Sequence, residues 1–410
     1  MSKILLVQPR FPLPAKSLNH KDYLPIGLLK LSTWHKEQGD EVQADFGVYR
    51  IREDWVPDTI YVTSLFTYWA NAVREAVRFY RDAYGSGAEI VVGGIYASLE
   101  PVHCKQHTGC DRVHEGVHVQ AEALSHTLAP DYGLLEPEPE FQIVHASRGC
   151  IRKCTFCGTH RIEEEFLPKA SIMSELKKNH LVFYDNNLLA NPYIGDIFEE
   201  IASTRMHGRV ITCESQSGID GRILRKEPHL AAAMKRARFK NVRIAWDAGL
   251  GERGRVAEQL QILEDAGFSR KEIQVFMIYN HDLDPEVMVE KAQQCFDWGV
   301  QVSDCRYRPL DAFSDGYRPM KKSQDRGEYH IHPNWSDADV RAFRRLVREN
   351  NICIRYGIPK DRYDQRLEGF SRHARVEIAE MLGIDGRLKH SDSELARINE
   401  EWLKSREVHG

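Results

Sequence analysis

The sequence is poor in the features that would tie it to a membrane, a polyanion or an oxidising compartment. No apolar run approaches the roughly 18–20 residues needed to span a bilayer. Met1 to Pro12 leads straight into a short apolar strand, without the basic start, apolar stretch and small-residue cleavage site of a secretory leader. The 56 Lys and Arg against 60 Asp and Glu leave a net charge of −4 and a pI near 6.5, so charge alone implies no nucleic-acid partner. The nine cysteines fall at irregular spacings that fit no disulfide framework. The expectation is a cytoplasmic protein with no membrane partner. What is present is ordinary globular composition, 42% hydrophobic and 28% charged. At 410 residues the chain exceeds one ordinary domain, and two or three are expected.

Three of the cysteines stand close together, in Cys150-Ile-Arg-Lys-Cys154-Thr-Phe-Cys157. Thiolates are soft ligands that suit iron–sulfur clusters and zinc. A structural zinc site closes with four ligands, so three thiolates leave an open position, the mark of catalysis. The zinc alternative needs a fourth ligand such as His160 or Cys213. The motif follows the apolar run Phe141 to Ser147, short enough for a buried strand, and precedes Gly158 and a polar, helix-forming segment.

The spacing CxxxCxxC, with aromatic Phe156 just before the third cysteine, resembles the radical S-adenosylmethionine (radical SAM) superfamily. The resemblance implies a 4Fe–4S cluster on Cys150, Cys154 and Cys157. It also implies S-adenosylmethionine on the open iron, reductive cleavage to methionine and a 5′-deoxyadenosyl radical, and hydrogen abstraction from a substrate. An electron donor such as a flavodoxin or ferredoxin is implied as partner, and an exposed cluster implies oxygen sensitivity.

Along the chain the fold class reads as α/β in three parts. Residues 1–135 alternate strands (Lys3–Val7, Glu41–Asp45, Thr59–Thr63, Ala88–Val92, Arg112–His114) with helices over Pro25–Gln38 and Trp69–Tyr84. Such alternation predicts a doubly wound, Rossmann-like parallel sheet with ligands beyond the carboxyl ends of its strands. The layout resembles the cobalamin-binding domain that precedes many radical SAM domains. Gly93-Gly94 are the candidate positions for close approach of a corrin. No DxHxxG histidine occurs as a lower cobalt ligand, and both bound cobalamin and a vestigial, substrate-shaping domain stay open. The crowd of His103, Cys104, His107, Cys110, His114 and His118 fits no metal module and reads as surface or packing residues. Residues 117–140, with Pro130, Pro137 and Pro139, read as a linker.

Residues 141–315 resume the alternation, with strands at Ile143–Ser147, Leu181–Asp185, Val210–Glu214, Val242–Asp247, Ile273–Ile278 and Val300–Cys305. Six βα units suit a partial (β/α)6 TIM-type barrel, whose chemistry gathers at the strand carboxyl ends. By position in the resemblance, Asp185, Asn186 and Asn187 meet the S-adenosylmethionine amino group, in place of the family's GGE-like sequence. Glu214, Gln216, Arg243 and Asp247 are candidates for its ribose and carboxylate, and Phe156 for its adenine. Residues 316–410 read as a C-terminal helical region, with a helix capped by Ser336 and a last helix from Ser391 through Leu403. Basic residues there interleave with acidic ones, so a solvated face is expected rather than a nucleic-acid surface.

Two functions follow. One is a radical SAM enzyme, with methyl transfer to carbon if cobalamin binds and rearrangement, dehydrogenation or ring chemistry if it does not. The other is a zinc or iron–sulfur protein with a non-enzymatic interaction role. The sequence identifies no substrate, oligomeric state or catalytic residue beyond the ligands.

Overall fold

The computed structural model describes residues 1–13, 23–122, 129–357 and 360. The first half is built on β1 (Lys3–Gln8), β2 (Glu41–Phe46), β3 (Thr59–Ser64), β4 (Glu89–Gly94) and β5 (Arg112–His114). They form one sheet in the order β2-β1-β3-β4-β5, every pair parallel. Its helices are α1 (Ile26–Glu37), α2 (Ala70–Tyr84), α3 (Ile95–Leu99), α4 (Pro101–Thr108) and α5 (Val119–Glu122). Central strand β1 explains the layering. Ile4 and Leu6 pack with Leu28 and Leu31 of α1, while Leu5 and Val7 pack with Val73, Val77 and Tyr80 of α2. A parallel strand covered on both faces must be apolar at consecutive positions, and this one is. The order reverses between β1 and β3, which is where doubly wound sheets open a ligand crevice.

The second half contains β6 (Gln142–Val144), the short antiparallel pair β7 (Ser147–Arg148) and β8 (Leu167–Pro168), and β9 (His180–Phe183). It continues with the hairpin β10 (Arg205–Met206) and β11 (Arg209–Val210), then β12 (Thr212–Ser215), β13 (Arg243–Ala245), β14 (Gln274–Tyr279) and β15 (Gln301–Arg306). β6, β9 and β12 form one parallel set and β13, β14 and β15 another. Single parallel bridges, Cys213 to Phe239 and Ile219 to Ile244, link the two into a partial barrel-like core. Helices α6 (Thr159–Ile162), α7 (Ile194–Ser203), α8 (Gly221–Lys226), α9 (His229–Arg236), α10 (Arg253–Asp265) and α11 (Pro285–Asp297) connect and cover the strands. α12 (Asp337–Tyr356) begins at a capping box between Ser336 and Asp339 and packs Val340, Phe343 and Val347 into the barrel's core. The expected helix from Ser391 through Leu403 lies outside the described residues. Among the described residues no helix is long and apolar enough to cross a membrane.

Two expected strands differ in instructive ways. The run Ile143–Ser147 splits, because the Ala146 and Ser147 amides donate to the Asp185 carboxylate instead of extending the ladder. The run Val210–Glu214 also breaks. His207 and Gly208 both take positive φ (50° and 75°), closing a tight hairpin that draws Arg209–Val210 to Arg205–Met206.

The halves are docked through specific contacts. Arg161 of α6 donates to the Leu99 carbonyl at the end of α3 (2.9 Å). Buried Glu122 of α5 lies 2.7 Å from Lys30 of α1 and 3.9 Å from Arg148 of β7. Phe313 lies flat on His103 of α4, ring centroids 3.5 Å apart.

The glycine pair at the end of β4 has a structural cause. Gly94 has φ +102°, and a Cβ there would stand 2.2 Å from the Ser64 carbonyl oxygen of β3. The close approach it permits is therefore to the neighbouring strand. At Gly93 a Cβ would meet His114 at an ordinary 3.6 Å. Gly94→Ala is expected to destabilise the protein by at least about 2 kcal/mol, while Gly93→Ala stays near wild type. Thermal unfolding of the two variants checks this; equal midpoints would refute the assignment.

Candidate active site

The cysteine loop leaves the barrel at Val144 and is held by three carboxylates. The first is Asp185, fully buried just past β9. It accepts hydrogen bonds from the Ala146 amide (3.1 Å), the Ser147 amide (2.6 Å) and the Ser147 hydroxyl (2.7 Å). The second is Glu163, which accepts from the Gly149 amide and the Arg148 guanidinium. Gly149 itself has φ +76°, and a Cβ there would lie 2.0 Å from the Glu165 carbonyl oxygen. The third is Asp220, N-cap of α8, which takes Arg152 Nε at 2.8 Å and Asn187 Nδ2 at 3.0 Å. Burial opposes its charge, but Arg152 and Asn187 hold its carboxyl below the usual range.

The three thiols are all partly exposed. Cys157 Sγ lies 3.3 Å from the Thr159 hydroxyl, and Cys150 Sγ accepts from the Arg152 amide at 3.3 Å. Burial, then the charges of Cys157, Asp247 and Cys150, push the Cys154 thiol up. A cationic centre beside Cys154 would offset that burial and negative charge and let its thiol ionise. Among the described residues no three His, Cys, Asp or Glu side chains converge as they would on a single ion. A cubane asks for less, since each thiolate holds a different iron.

Strand alternation sorts the rest. Leu181, Phe183, Cys213, Ile244, Met277 and Tyr279 lie in the apolar core beneath the helices. Their neighbours His145, Tyr184, Glu214, Gln216, Arg243 and Ile278 face the lumen. The lumen is polar at one side. Gln216 leaves both amide atoms without hydrogen bonds, and so do His145 Nδ1, Asn187 Oδ1 and Arg243 Nε, all buried atoms. Burial lowers the pKa of Arg243, although Glu214 opposes this, and drives His145 neutral. At the mouth, Thr155, Phe156, Asp247, Ile278, His281, Asp282 and Leu283 line a cavity of about 210 Å³. The His281 and Phe156 rings stand nearly perpendicular, 6.2 Å apart.

No family model matches the sequence, and no curated protein does. Solved structures do. One is the radical S-adenosylmethionine methyltransferase TsrM from Kitasatospora setae with cobalamin and a 4Fe–4S cluster bound. It aligns with TM-score 0.57 and 14% identity over 80% of each chain. A second TsrM structure, with tryptophan substrate and a SAM analogue (aza-SAM), aligns at 0.55 and 14%, over 76% of this chain and 75% of that one. OxsB, a cobalamin-dependent S-adenosylmethionine radical enzyme with aqua-cobalamin bound, aligns at 0.50 and 15%, over 72% of this chain and 52% of that one. The chain shares the fold of these structures, a parallel α/β sheet domain followed by a partial barrel.

Within that fold the sequence-derived residues fall into distinct places. Phe156 and Asp247 share the mouth cavity. Glu214, Gln216 and Arg243 share the lumen, with Arg243 donating to the Ser215 carbonyl and His180 Nε2 3.7 Å from Glu214. Asn187 is buried on Asp220, and Asn186 is exposed beside Thr159 (3.2 Å) and Glu163 (3.5 Å). Asp185 has both oxygens committed to loop backbone and Ser147, so its visible work is to hold the loop. Cys213 sits in the core on the far side of β12, away from the motif thiols. Cys104 and Cys110 are buried in the first half's core, and His107 meets Asn71.

Sequence reasoning missed the ring cluster behind His281. Tyr307 lies 4.2 Å from His281, and His330 lies 5.6 Å from Tyr307. Asn280, at φ +59°, donates to the His330 carbonyl and accepts from the His332 amide, stitching that loop to the end of β14. The pair His330-x-His332 was the available signal, but it falls where no strand or helix period points inward. Lys291 of α11 was also missed. It is buried, its pKa is lowered to about 8 by burial, and it donates to the Trp246 and Ala248 carbonyls on either side of Asp247.

Burial raises the Asp185 carboxyl from 3.8 to about 6, against the hydrogen bonds that favour its ionised form. The folded state therefore prefers the protonated acid. Its contribution is complete below the unfolded pKa and is lost as pH rises through about 6. Between pH of about 4.5 and about 7 this amounts to on the order of 2 kcal/mol. Urea midpoints of wild type and Asp185→Asn at those two pH values should differ in slope by that amount. Parallel slopes would show that Asp185 does not titrate there.

Proposed function

We propose that this protein is a radical SAM enzyme, in which Cys150, Cys154 and Cys157 hold a 4Fe–4S cluster and S-adenosylmethionine binds across the barrel lumen. Residues 1–135 form the cobalamin-binding-like domain, 141–315 the catalytic barrel and 316–410 the C-terminal region. The observation that carries this reading is the rigid loop of three thiols over a lumen with unsatisfied polar groups on one side and a small half-apolar cavity on the other. A ligand with a charged amino-acid end and a flat apolar end matches that division. Gln216 and Arg243 bind the polar end. Phe156, Ile278 and Leu283 enclose the flat end, while Asp247, positioned by Lys291, accepts hydrogen bonds from hydroxyls. When bound, the cluster supplies the electron for reductive cleavage of the sulfonium C–S bond. The protein's own part is to orient that bond and exclude water.

Methyl transfer is the outcome we favour, with cobalamin at the crevice between β1 and β3. Phe66 stacks on Tyr68 there, and Trp69 stands edge-on to both, giving flat surfaces suited to a corrin. Arg308, just past β15, lies over Tyr68 at 4.7 Å, so the crevice and the barrel mouth adjoin. The radical SAM methyltransferase TsrM, with cobalamin bound, supports this choice.

Anaerobically reconstituted protein should carry about four irons per chain with matching sulfide, and should form 5′-deoxyadenosine from S-adenosylmethionine. Cys154→Ala should lose the chromophore and at least about 90% of that cleavage, while Cys104→Ala keeps its iron. Full cleavage by Cys154→Ala, or one zinc without labile sulfide, would defeat the reading. Stoichiometric retention of hydroxocobalamin after desalting would support methyl transfer; no retention would limit the first half to shaping the substrate site.

A further inference from the structure

We propose that Arg308, with Arg306 beside it, recognises a carboxylate on the substrate, at the seam between the barrel mouth and the crevice of the first half. The inference rests on the radical SAM reading, which puts the substrate at that seam but leaves its chemical class open.

Its neighbours fix where Arg308 stands. On the crevice side its guanidinium lies over the Tyr68 ring, 4.7 Å from the centroid. Its Nε donates to Asp315 Oδ2, and its Nη1 to the Arg306 carbonyl at 3.4 Å. On the barrel side the neighbour is Cys305. This residue pairs in register with Ile278, which lines the mouth cavity, and registered residues of parallel strands share a face. The Cys305 side chain is therefore turned to the lumen, and it is exposed, so open space adjoins it there. The thiol is reached from within the lumen yet surrounded by protein. Burial, then Asp304 and Asp247, raise its pKa to about 12, and Arg308 opposes them. The guanidinium is thus within electrostatic reach of the open space as well as of the crevice.

Two guanidiniums share one carboxylate. Arg306 Nη2 and Arg308 Nε both donate to Asp315 Oδ2, and no other carboxylate is hydrogen-bonded to either arginine among the described residues. Burial opposes charge on Asp315, but the two arginines hold its carboxyl below the usual range. Asp304 of β15 is offset by Arg344. One positive charge is left over. Arg306 cannot reach solvent with it: the residue is buried against Tyr317 and Tyr329, 4.5 and 5.1 Å from their ring centroids, and its Nη1 makes no hydrogen bond. Arg308 can reach a ligand. Its side chain is 33% exposed, and its Nη2 has no hydrogen-bond partner among the described residues. A partly buried excess cation is costly until an anion meets it. A guanidinium anchored at Nε and laid on an aromatic face presents its remaining donors as a fixed planar fork, the shape that matches a carboxylate. A neutral group in the same place would leave the extra charge uncompensated, which makes the site selective as well as attractive.

Anaerobic equilibrium dialysis of the reconstituted enzyme, with S-adenosylmethionine present, tests this with two probes, 3-phenylpropionate and its neutral amide. The phenyl group suits the Phe156 and His281 rings at the mouth. The acid should bind about tenfold more tightly than the amide, as a charge-assisted hydrogen bond implies. Arg308→Gln should bring the acid down to the level of the amide, while Arg308→Lys keeps part of the difference. Asp315 remains paired with Arg306 in both variants, so each should keep its iron content and unfolding midpoint. No measurable binding of the acid, equal binding of acid and amide, or an unaltered preference in Arg308→Gln would overturn the proposal and leave the radical SAM reading standing. Loss of hydroxocobalamin but not of dicyanocobinamide from Arg308→Gln would also overturn it, because the arginine would then hold the phosphodiester that only the former carries. Failure of the wild type to assemble any cluster would remove both.

Discussion

Asp185 is the group on which the candidate site depends. Two backbone amides and a hydroxyl donate to one fully buried carboxylate, and this turns the first barrel strand away from its ladder into the cysteine loop. Buried amides left without an acceptor are costly, so the carboxylate fixes the place where β6 ends. Glu163 and Asp220 repeat the device further along, at Gly149 and Arg152. Between them the three carboxylates fix the path from Ala146 to Arg152. A loop so held presents its thiols in a set arrangement, which is what ligation of several irons at once requires.

The same bracing connects the halves of the molecule. α6, which follows the third cysteine, rests on α3, which follows Gly94. A Cβ at Gly158 would touch Leu99 at 3.0 Å and Leu310 at 3.5 Å, so the cysteine loop, the first half and the segment after β15 meet there. The crevice between β1 and β3 is thereby held over the barrel mouth, where Arg308 reaches Tyr68. A cofactor in the crevice and one in the lumen would face each other across this junction, an arrangement that group transfer between them needs.

Much of the fold was legible because burial writes itself into local pattern. Four consecutive apolar residues at Ile4–Val7 signal a doubly covered parallel strand, and Ser336 with Asp339 signals a helix start. The cysteine spacing and Phe156 were legible for the same reason: their chemistry is local. What escaped was long-range. That the Asp185 carboxylate accepts from the Ser147 amide of another strand leaves no local trace in the sequence. That Ser64 lies against Gly94 is likewise not visible in the glycine pair itself. The partnership of Asn280 with the His330–His332 loop joins residues some fifty positions apart and leaves no periodic trace.

The central claim is that three braced thiolates hold a cluster with one iron open to S-adenosylmethionine. Electron paramagnetic resonance of the reduced, reconstituted protein, recorded with and without S-adenosylmethionine, tests it most directly. The account predicts a 4Fe–4S signal whose position and shape change when S-adenosylmethionine is added, because its amino and carboxylate groups alter the open iron. A cluster signal identical in the two samples, at saturating S-adenosylmethionine, would contradict it.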